Sequence, residues 1–252
     1  MNKISAVILT KNSQRLLKEV LESLVKLDEV VILDNGSNDE TINIAKSFQN
    51  TSIHYNDFIG FGELKALGSR LAKNDWILTI DSDEIASSTL IDEILNLNLK
   101  NDTCYSYDVK NYFNDKHIYS CGWGDDRCIG LYNKEYYEFN DAKVHERIIP
   151  LKNTQKTIAL KGHISHYPYE NIESFLDKMQ KYSTLYANGN KHKKSSITKA
   201  LTHSIWAFIK SYLLKKGFLQ GYEGFIISVY NSQCSFWKYI KLYEVKCENT
   251  NN

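Results

Sequence analysis

The sequence predicts an α/β protein: a mainly parallel sheet flanked by helices, with a helical extension at the C-terminal end. Three observations carry this. Short apolar runs alternate with stretches of helical periodicity from residue 4 to residue 80, the pattern of a parallel sheet wrapped by helices. Two of these runs end in acids, at Asp34 and at Asp81, Asp83 and Glu84, and in open α/β sheets ligands bind beyond the carboxyl ends of the strands. From Ile172 onward the alternation gives way to lysine-rich helical stretches.

The elements follow in order. Ile4 to Thr10 is a continuous apolar run of the length of a central parallel strand. Leu16, Leu17, Val20, Leu21, Leu24 and Val25 then recur at helical spacing. Glu29 to Asp34 reads as a second buried strand, followed by Gly36 for a tight turn. Ser37 with Glu40 reads as a capping box that opens the helix TINIAKSF. Ser52–Tyr55, FGELKALGSRLAK and WILTID supply a third strand, a third helix and a fourth strand. SSTLIDEILNLNL is a helix capped by Ser87 or Ser88, and the Tyr-rich segments of residues 103–167 read as an antiparallel or mixed extension of the sheet. Three helical stretches complete the chain: 172–189, ITKALTHSIWAFIKSYLLKK, and Gly224 to Lys246.

Composition narrows the class. The 252 residues are 42% hydrophobic and 24% charged, the profile of a globular chain. The apolar run between Lys3 and Lys11 is too short for a signal-peptide core or a spanning helix, so a cytoplasmic location is expected. The five cysteines form no CxxC pair and are read as reduced thiols. The formal charge of +1 hides an asymmetry: residues 1–170 hold 19 Lys+Arg and 25 Asp+Glu, net −6, and residues 171–252 hold 12 and 5, net +7. Two domains with these bounds are therefore expected, the second basic and amphipathic. Only four arginines occur, so the tail offers point charge without the planar fork that reads bases or phosphates. That disfavours a nucleic-acid partner, and TKNSQ after the first strand, in place of GxGxxG, disfavours a dinucleotide oxidoreductase.

At the fourth strand end, Asp81 and Asp83 offer paired hard oxygens for a divalent cation. A simple surface turn is the alternative reading of the same residues. ILTKN, LDNGSNDET, IDSDE and VHER stand in fixed order at 8–12, 33–41, 80–84 and 144–147. Together they resemble the inverting GT-A glycosyltransferases of family two. A closer likeness is to bacterial lipopolysaccharide- and lipooligosaccharide-core β-1,4-glucosyltransferases of the WaaE/LgtF type, through DEVVILDNGSNDET, IGFGELK, the GW at 122–123, VHE, GHISHY, GFLQGYEGF and KYIKLYE. The chain departs from that pattern at Ser13, Lys65, Ala66, Gly130 and Gln220.

The resemblance implies a GT-A fold, a Rossmann-like mainly parallel sheet, and a UDP-sugar donor. Thr10 and Asn12 would line the uridine pocket and Asp34 would accept from the uracil ring N–H, unless Asp34 serves only an Asx turn. Asp83, Asp81 and His166 would hold Mg²⁺ or Mn²⁺, and Lys65 would face the diphosphate. Glu146, from VHE, would be the base, with Asp125 and Asp126 as its rivals or as partners of the donor sugar. His163 and His166 are read as alternating along a strand and facing the same side, and Trp123 as either a sugar-stacking or a core residue.

The implied reaction is metal-assisted single displacement, an EC 2.4 hexosyl transfer from UDP-glucose to a lipid-anchored inner-core sugar. Alternatives are transfer of GlcNAc or Gal to another surface glycan, or a catalytically silent saccharide- or membrane-binding module. Aromatics bordered by Lys199, Lys210, Lys215 and Lys216 fit a helix lying on an anionic membrane surface, so the protein is expected to be peripheral to the inner leaflet of the cytoplasmic membrane.

Overall fold

The computed structural model describes residues 1–124, 126–141, 146–152 and 156–250, with side chains as far as Val245. The chain forms two compact units, residues 1–110 with 125–166, and residues 111–124 with 167–252.

In the first unit β1 (Ile4–Thr10) lies between β2 (Glu29–Asp34) and β4 (Trp76–Thr79), parallel to both, and β3 (Thr51–Tyr55) continues the parallel set beyond β2. Covered on both faces, β1 is apolar along its length rather than alternating. Its Ile4, Ala6 and Ile8 enter one core, with Leu17, Val20 and Leu21 of α1 (Leu17–Ser23) and Leu90, Ile91 and Ile94 of α4 (Ser88–Asn96). Val7 points the other way, into a second core with Ile77, Tyr132 and Phe139. On that face α3 (Phe61–Leu71) lies so close to β1 that a side chain at Gly68 would run into Val7.

An antiparallel extension comprises β5 (Glu84–Ala86), β6 (Thr103–Phe113), β8 (Asp126–Asn133) and β11 (Lys156–His166). It completes the sheet, whose order is β3-β2-β1-β4-β8-β6-β11-β5. The glycine at 130 has a packing reason: the Tyr107 hydroxyl fills the space of its missing side chain and donates to the Thr79 carbonyl at 2.9 Å. A hairpin of β9 (Tyr137–Phe139) and β10 (Ile148–Pro150) stands apart from this sheet. The α/β class is thus the one the sequence predicts.

Three local expectations are corrected. The periodic stretch at 16–27 is helical only to Ser23; Leu24 and Leu27 close tight turns, and the Asn50 amide binds both their carbonyls at 3.2 Å. Ser37 and Glu40 form no capping box for α2 (Thr41–Lys46), because the Ser37 hydroxyl is drawn to Asp34 and the Asp39 carboxylate accepts from the Thr41 amide at 3.0 Å. The fourth strand stops at Thr79, short of the acids. Ser87 does cap α4, accepting from the Leu90 amide at 3.2 Å.

The second unit begins with the end of β6, which pairs with β7 (Lys116–His117). It continues with α5 (Ile172–Gly189), α6 (Ile197–Ile209) and α7 (Gly221–Thr250). A π turn at Lys210–Leu214 and a 3-10 turn at Gly217–Gln220 join α6 to α7. Trp123 takes the core role: its ring stacks on Tyr169 at 5.6 Å, and Tyr169 stacks on Phe175 at 3.9 Å. Among the described residues no helix is long and apolar enough to cross a membrane.

Candidate active site

At the tips of β1 and β2 the register sets Thr10 opposite Asp34. Asp34 is 1% exposed, and its carboxylate accepts from the Gly36 amide (2.9 Å), the Ser37 amide (2.8 Å), the Ser37 hydroxyl (2.5 Å) and the Thr10 hydroxyl (2.9 Å). Burial alone would raise its pKa, but these hydrogen bonds outweigh it and hold the carboxyl below its ordinary value. Four donors use the acceptor capacity of a carboxylate, so a uracil N–H would have to displace one of them. What Asp34 does in this geometry is fix the 35–41 loop.

That loop in turn grips the one after β1. Asn12, in the left-handed region at φ 52°, donates its amide to the Ser37 hydroxyl at 2.8 Å and accepts from the Asn38 amide at 2.9 Å. The Lys11 ammonium donates to the carbonyls of Asn35 and Gly36 at 3.0 and 2.6 Å. Ser13, where the resembled pattern has Glu, carries the connection onward: its hydroxyl lies 2.9 Å from that of Ser82, between the two aspartates of the next loop.

Beyond β4 the chemistry changes from hydrogen bonds to charge. From α3, Lys65 reaches Asp81 Oδ1 at 3.1 Å and Glu146 Oε1 at 2.8 Å, with its side chain only 12% exposed. Burial would favour the neutral amine, but the charges of Asp81 and Glu146 and the hydrogen bonds to both outweigh it, so the pKa lies above its ordinary value and Lys65 is an ammonium. Its nitrogen also stands 5.6 Å from the centre of the Phe139 ring. These residues line a cleft of about 480 Å³, together with Thr79, Arg127, Cys128 and Ile148. Its wall includes the Thr79 hydroxyl, which is buried without a hydrogen-bond partner among the described residues.

Asp83 lies on the other side of Ser82, with Oδ1 3.7 Å from His166 Nε2. The β5–β11 register places His166 opposite Glu84, whose carboxylate accepts from the Asp81 amide at 2.8 Å. Burial, then the charge of Asp81, push the Glu84 carboxyl up to about 7. Burial would lower the His166 pKa, but its hydrogen bond with Asp83 and the charges of Asp83, Glu84 and Asp81 raise it overall. The expectation that His163 and His166 face one side is corrected: their odd spacing on β11 puts them on opposite faces.

The structure thus brings Lys65, Asp81 and Glu146 into one cleft, pairs Asp83 with His166, and ties Thr10, Asn12 and Asp34 into a neighbouring pair of loops. Asp126 sits in β8 opposite Val109 and is exposed; Asp125 and His145 lie outside the described residues. The sequence reading gave Glu84, Ser82, Arg127, Cys128 and Phe139 no role. Glu84 carried a signal, as the third acid of IDSDE, but only the pairing of β5 with β11 sets it against His166.

Comparison with known proteins yields one family model, described as Glycosyl transferase family 2, which matches residues 5–150. An uncharacterised glycosyltransferase of Rickettsia typhi is 29% identical over 265 residues, spanning 100% of this chain and 90% of that protein. A lipopolysaccharide core biosynthesis glycosyltransferase, LpsC of Rhizobium meliloti, is 25% identical and spans 96% of this chain and 92% of its own. Among solved structures, S. aureus TarS 1–349 in complex with UDP superposes with a TM-score of 0.47 at 14% identity, covering 99% of this chain and 92% of that one.

Proposed function

Because the chain belongs to glycosyl transferase family 2, and so is a glycosyltransferase that draws on a nucleotide sugar, we propose that it is an inverting hexosyltransferase taking glucose from UDP-glucose. Its acceptor is an inner-core sugar of a lipid-anchored lipopolysaccharide or lipooligosaccharide, presented at the cytoplasmic face of the membrane. The core-biosynthesis relative supports the acceptor class, and the likeness to the WaaE/LgtF type supports glucose. The one observation that carries the chemistry is the cleft in which Lys65 joins Asp81 to Glu146.

Glu146 is the base. A carboxylate positioned by an ammonium at 2.8 Å is able to take the proton of an acceptor hydroxyl as that oxygen bonds to the anomeric carbon. The bond from that carbon to the diphosphate breaks on the opposite face, UDP leaves with the electron pair, and the configuration inverts. Lys65 lies between Glu146 and Asp81 and would offer its charge to the diphosphate from the Asp81 side, while Thr10 and Asn12, on the loops tied by Asp34, would meet the uridine.

A divalent cation suits the donor set beside them. Among the described residues no three His, Cys, Asp or Glu form a ready-made cage. That is the ordinary case for Mg²⁺, which takes one or two carboxylates and completes its shell with phosphates and water. Asp83 and His166, 3.7 Å apart, with Asp81 beyond Ser82, are the residues that would hold it. Bound there, Mg²⁺ or Mn²⁺ would supply charge against the departing diphosphate.

The test is a panel of UDP-glucose, UDP-galactose, UDP-GlcNAc, GDP- and CMP-sugars, screened by thermal shift with Mn²⁺ and followed by transfer onto truncated core lipids. UDP-glucose should give the largest shift and an EDTA-sensitive, β-linked product. Preference for a GDP- or CMP-sugar overturns the donor assignment, and UDP binding without turnover on any acceptor points instead to a silent saccharide-binding module.

A further inference from the structure

The pair α6–α7 has its polarity reversed relative to a helix pair in a water-soluble core. Small residues of α6 and the turn after it face α7: Ala200 is fully buried, the hydroxyls of Ser204 and Ser232 lie 2.9 Å apart, and so do those of Ser211 and Ser228. Phe208 and Tyr212 lie edge-on against Phe225 of α7 at 6.2 and 6.0 Å, but the other large apolar side chains point away. Ile197, Leu201, Ile205, Trp206 and Leu213 are between 49% and 60% exposed. A soluble amphipathic helix buries its large residues and shows its small polar ones; small residues and hydroxyls between helices with bulky apolar groups outside are the packing of lipid-embedded pairs.

Charge identifies the occupant of this face. From Lys178 to Tyr222 the sequence holds nine lysines and no acid. Lys193, Lys194 and Lys199 stand at one end of α6 and Lys210, Lys215 and Lys216 at the other. Across the 13 residues of α6, about 20 Å at 1.5 Å per residue, Leu201, Ile205 and Trp206 thus lie between two lysine groups. A second copy of the chain would set lysines against lysines, whereas anionic headgroups match both ends while acyl chains take the middle.

We infer that α6 with the turn after it, from Ile197 to Leu213, lies side-on in an anionic phospholipid surface as the outward face of an inside-out helical pair. This mode of docking rests on the lipid-anchored acceptor proposed above and gives it a defined contact.

The test is co-sedimentation of the full chain with vesicles of phosphatidylcholine alone, or of phosphatidylcholine with phosphatidylglycerol. Two variants change only exposed side chains: Leu201→Gln with Ile205→Glu, and Lys215→Gln with Lys216→Gln. Partition should favour the anionic vesicles at least ~tenfold and weaken with salt. The apolar variant should lose ~tenfold or more and the lysine variant at least ~fivefold. No partition, equal partition to both vesicles, or variants that bind as wild type does would overturn the inference, as would a concentration-dependent dimer abolished by Ile205→Glu. A UDP-dependent thermal shift in the same variants reports their folding. Its absence in wild type would count against the transferase reading and leave the vesicle result standing.

Discussion

The tips of β1 and β2 and the segment after β4 both carry acids, but those acids have opposite surroundings. Asp34 is enclosed, with four donors on one carboxylate, and its pKa is lowered. Asp81, Asp83, Glu84 and Glu146 crowd around one lysine and one histidine, and the Glu84 carboxyl is pushed up to about 7. The first group is satisfied from within and holds shape. The second retains unbalanced negative charge that a cation would complete, as expected where stability is given up for binding and chemistry.

Substitutions on the two sides should therefore separate turnover from stability. The largest effect is expected from Asp83→Ala, which should cut transfer by ~10³-fold and remove the Mn²⁺ dependence of UDP binding, with thermal stability unchanged; steady-state kinetics with a metal titration read both. Next is Lys65→Met, which strands two carboxylates. Because Asp81 is half exposed, the cost should be about 2 kcal/mol rather than the full value of a buried pair, with Lys65→Arg recovering most of the activity.

On the quiet side, Asp34→Ala should lower unfolding free energy by about 2–3 kcal/mol and, by loosening the loops that carry Thr10 and Asn12, raise the KM for UDP-glucose while kcat well below the melting temperature stays within a few-fold. Since the folded pKa of Asp34 lies below its unfolded value of about 4, its contribution is present above that pH and disappears as pH falls through the folded value. Denaturant midpoints of wild type should therefore drop more on acidification than those of the variant. The smallest effect runs the other way. Native Glu84 keeps its proton up to about pH 7 while the unfolded chain releases it near ~4.3, so stability is lost as pH rises through that window. Glu84→Gln should gain ~1–2 kcal/mol above pH 7, read by the same melts.

The same division explains what the sequence made legible. β1 and β2 were read to the residue because central parallel strands are continuous apolar runs closed by turn residues. Ser87 was recognisable as a cap because capping is local. The capping box at Ser37 and Glu40 failed because a carboxylate on the preceding strand tip competed for the serine hydroxyl. Lys65, Asp81 and Glu146 were each picked out, but their junction depends on α3 pressing onto β1 at Gly68 and on chain far along the sequence. Likewise, nothing local in residues 111–124 reveals that they group with the C-terminal helices.

In the proposed reaction Glu146 is the group that deprotonates the acceptor on the charged side. The most direct measurement is steady-state transfer from UDP-glucose by Glu146→Gln, which keeps the side chain's shape and a hydrogen-bond acceptor for Lys65. A loss of ~10²-fold in kcat with the KM for UDP-glucose unchanged is the expected result; a kcat within a few-fold of wild type would contradict it.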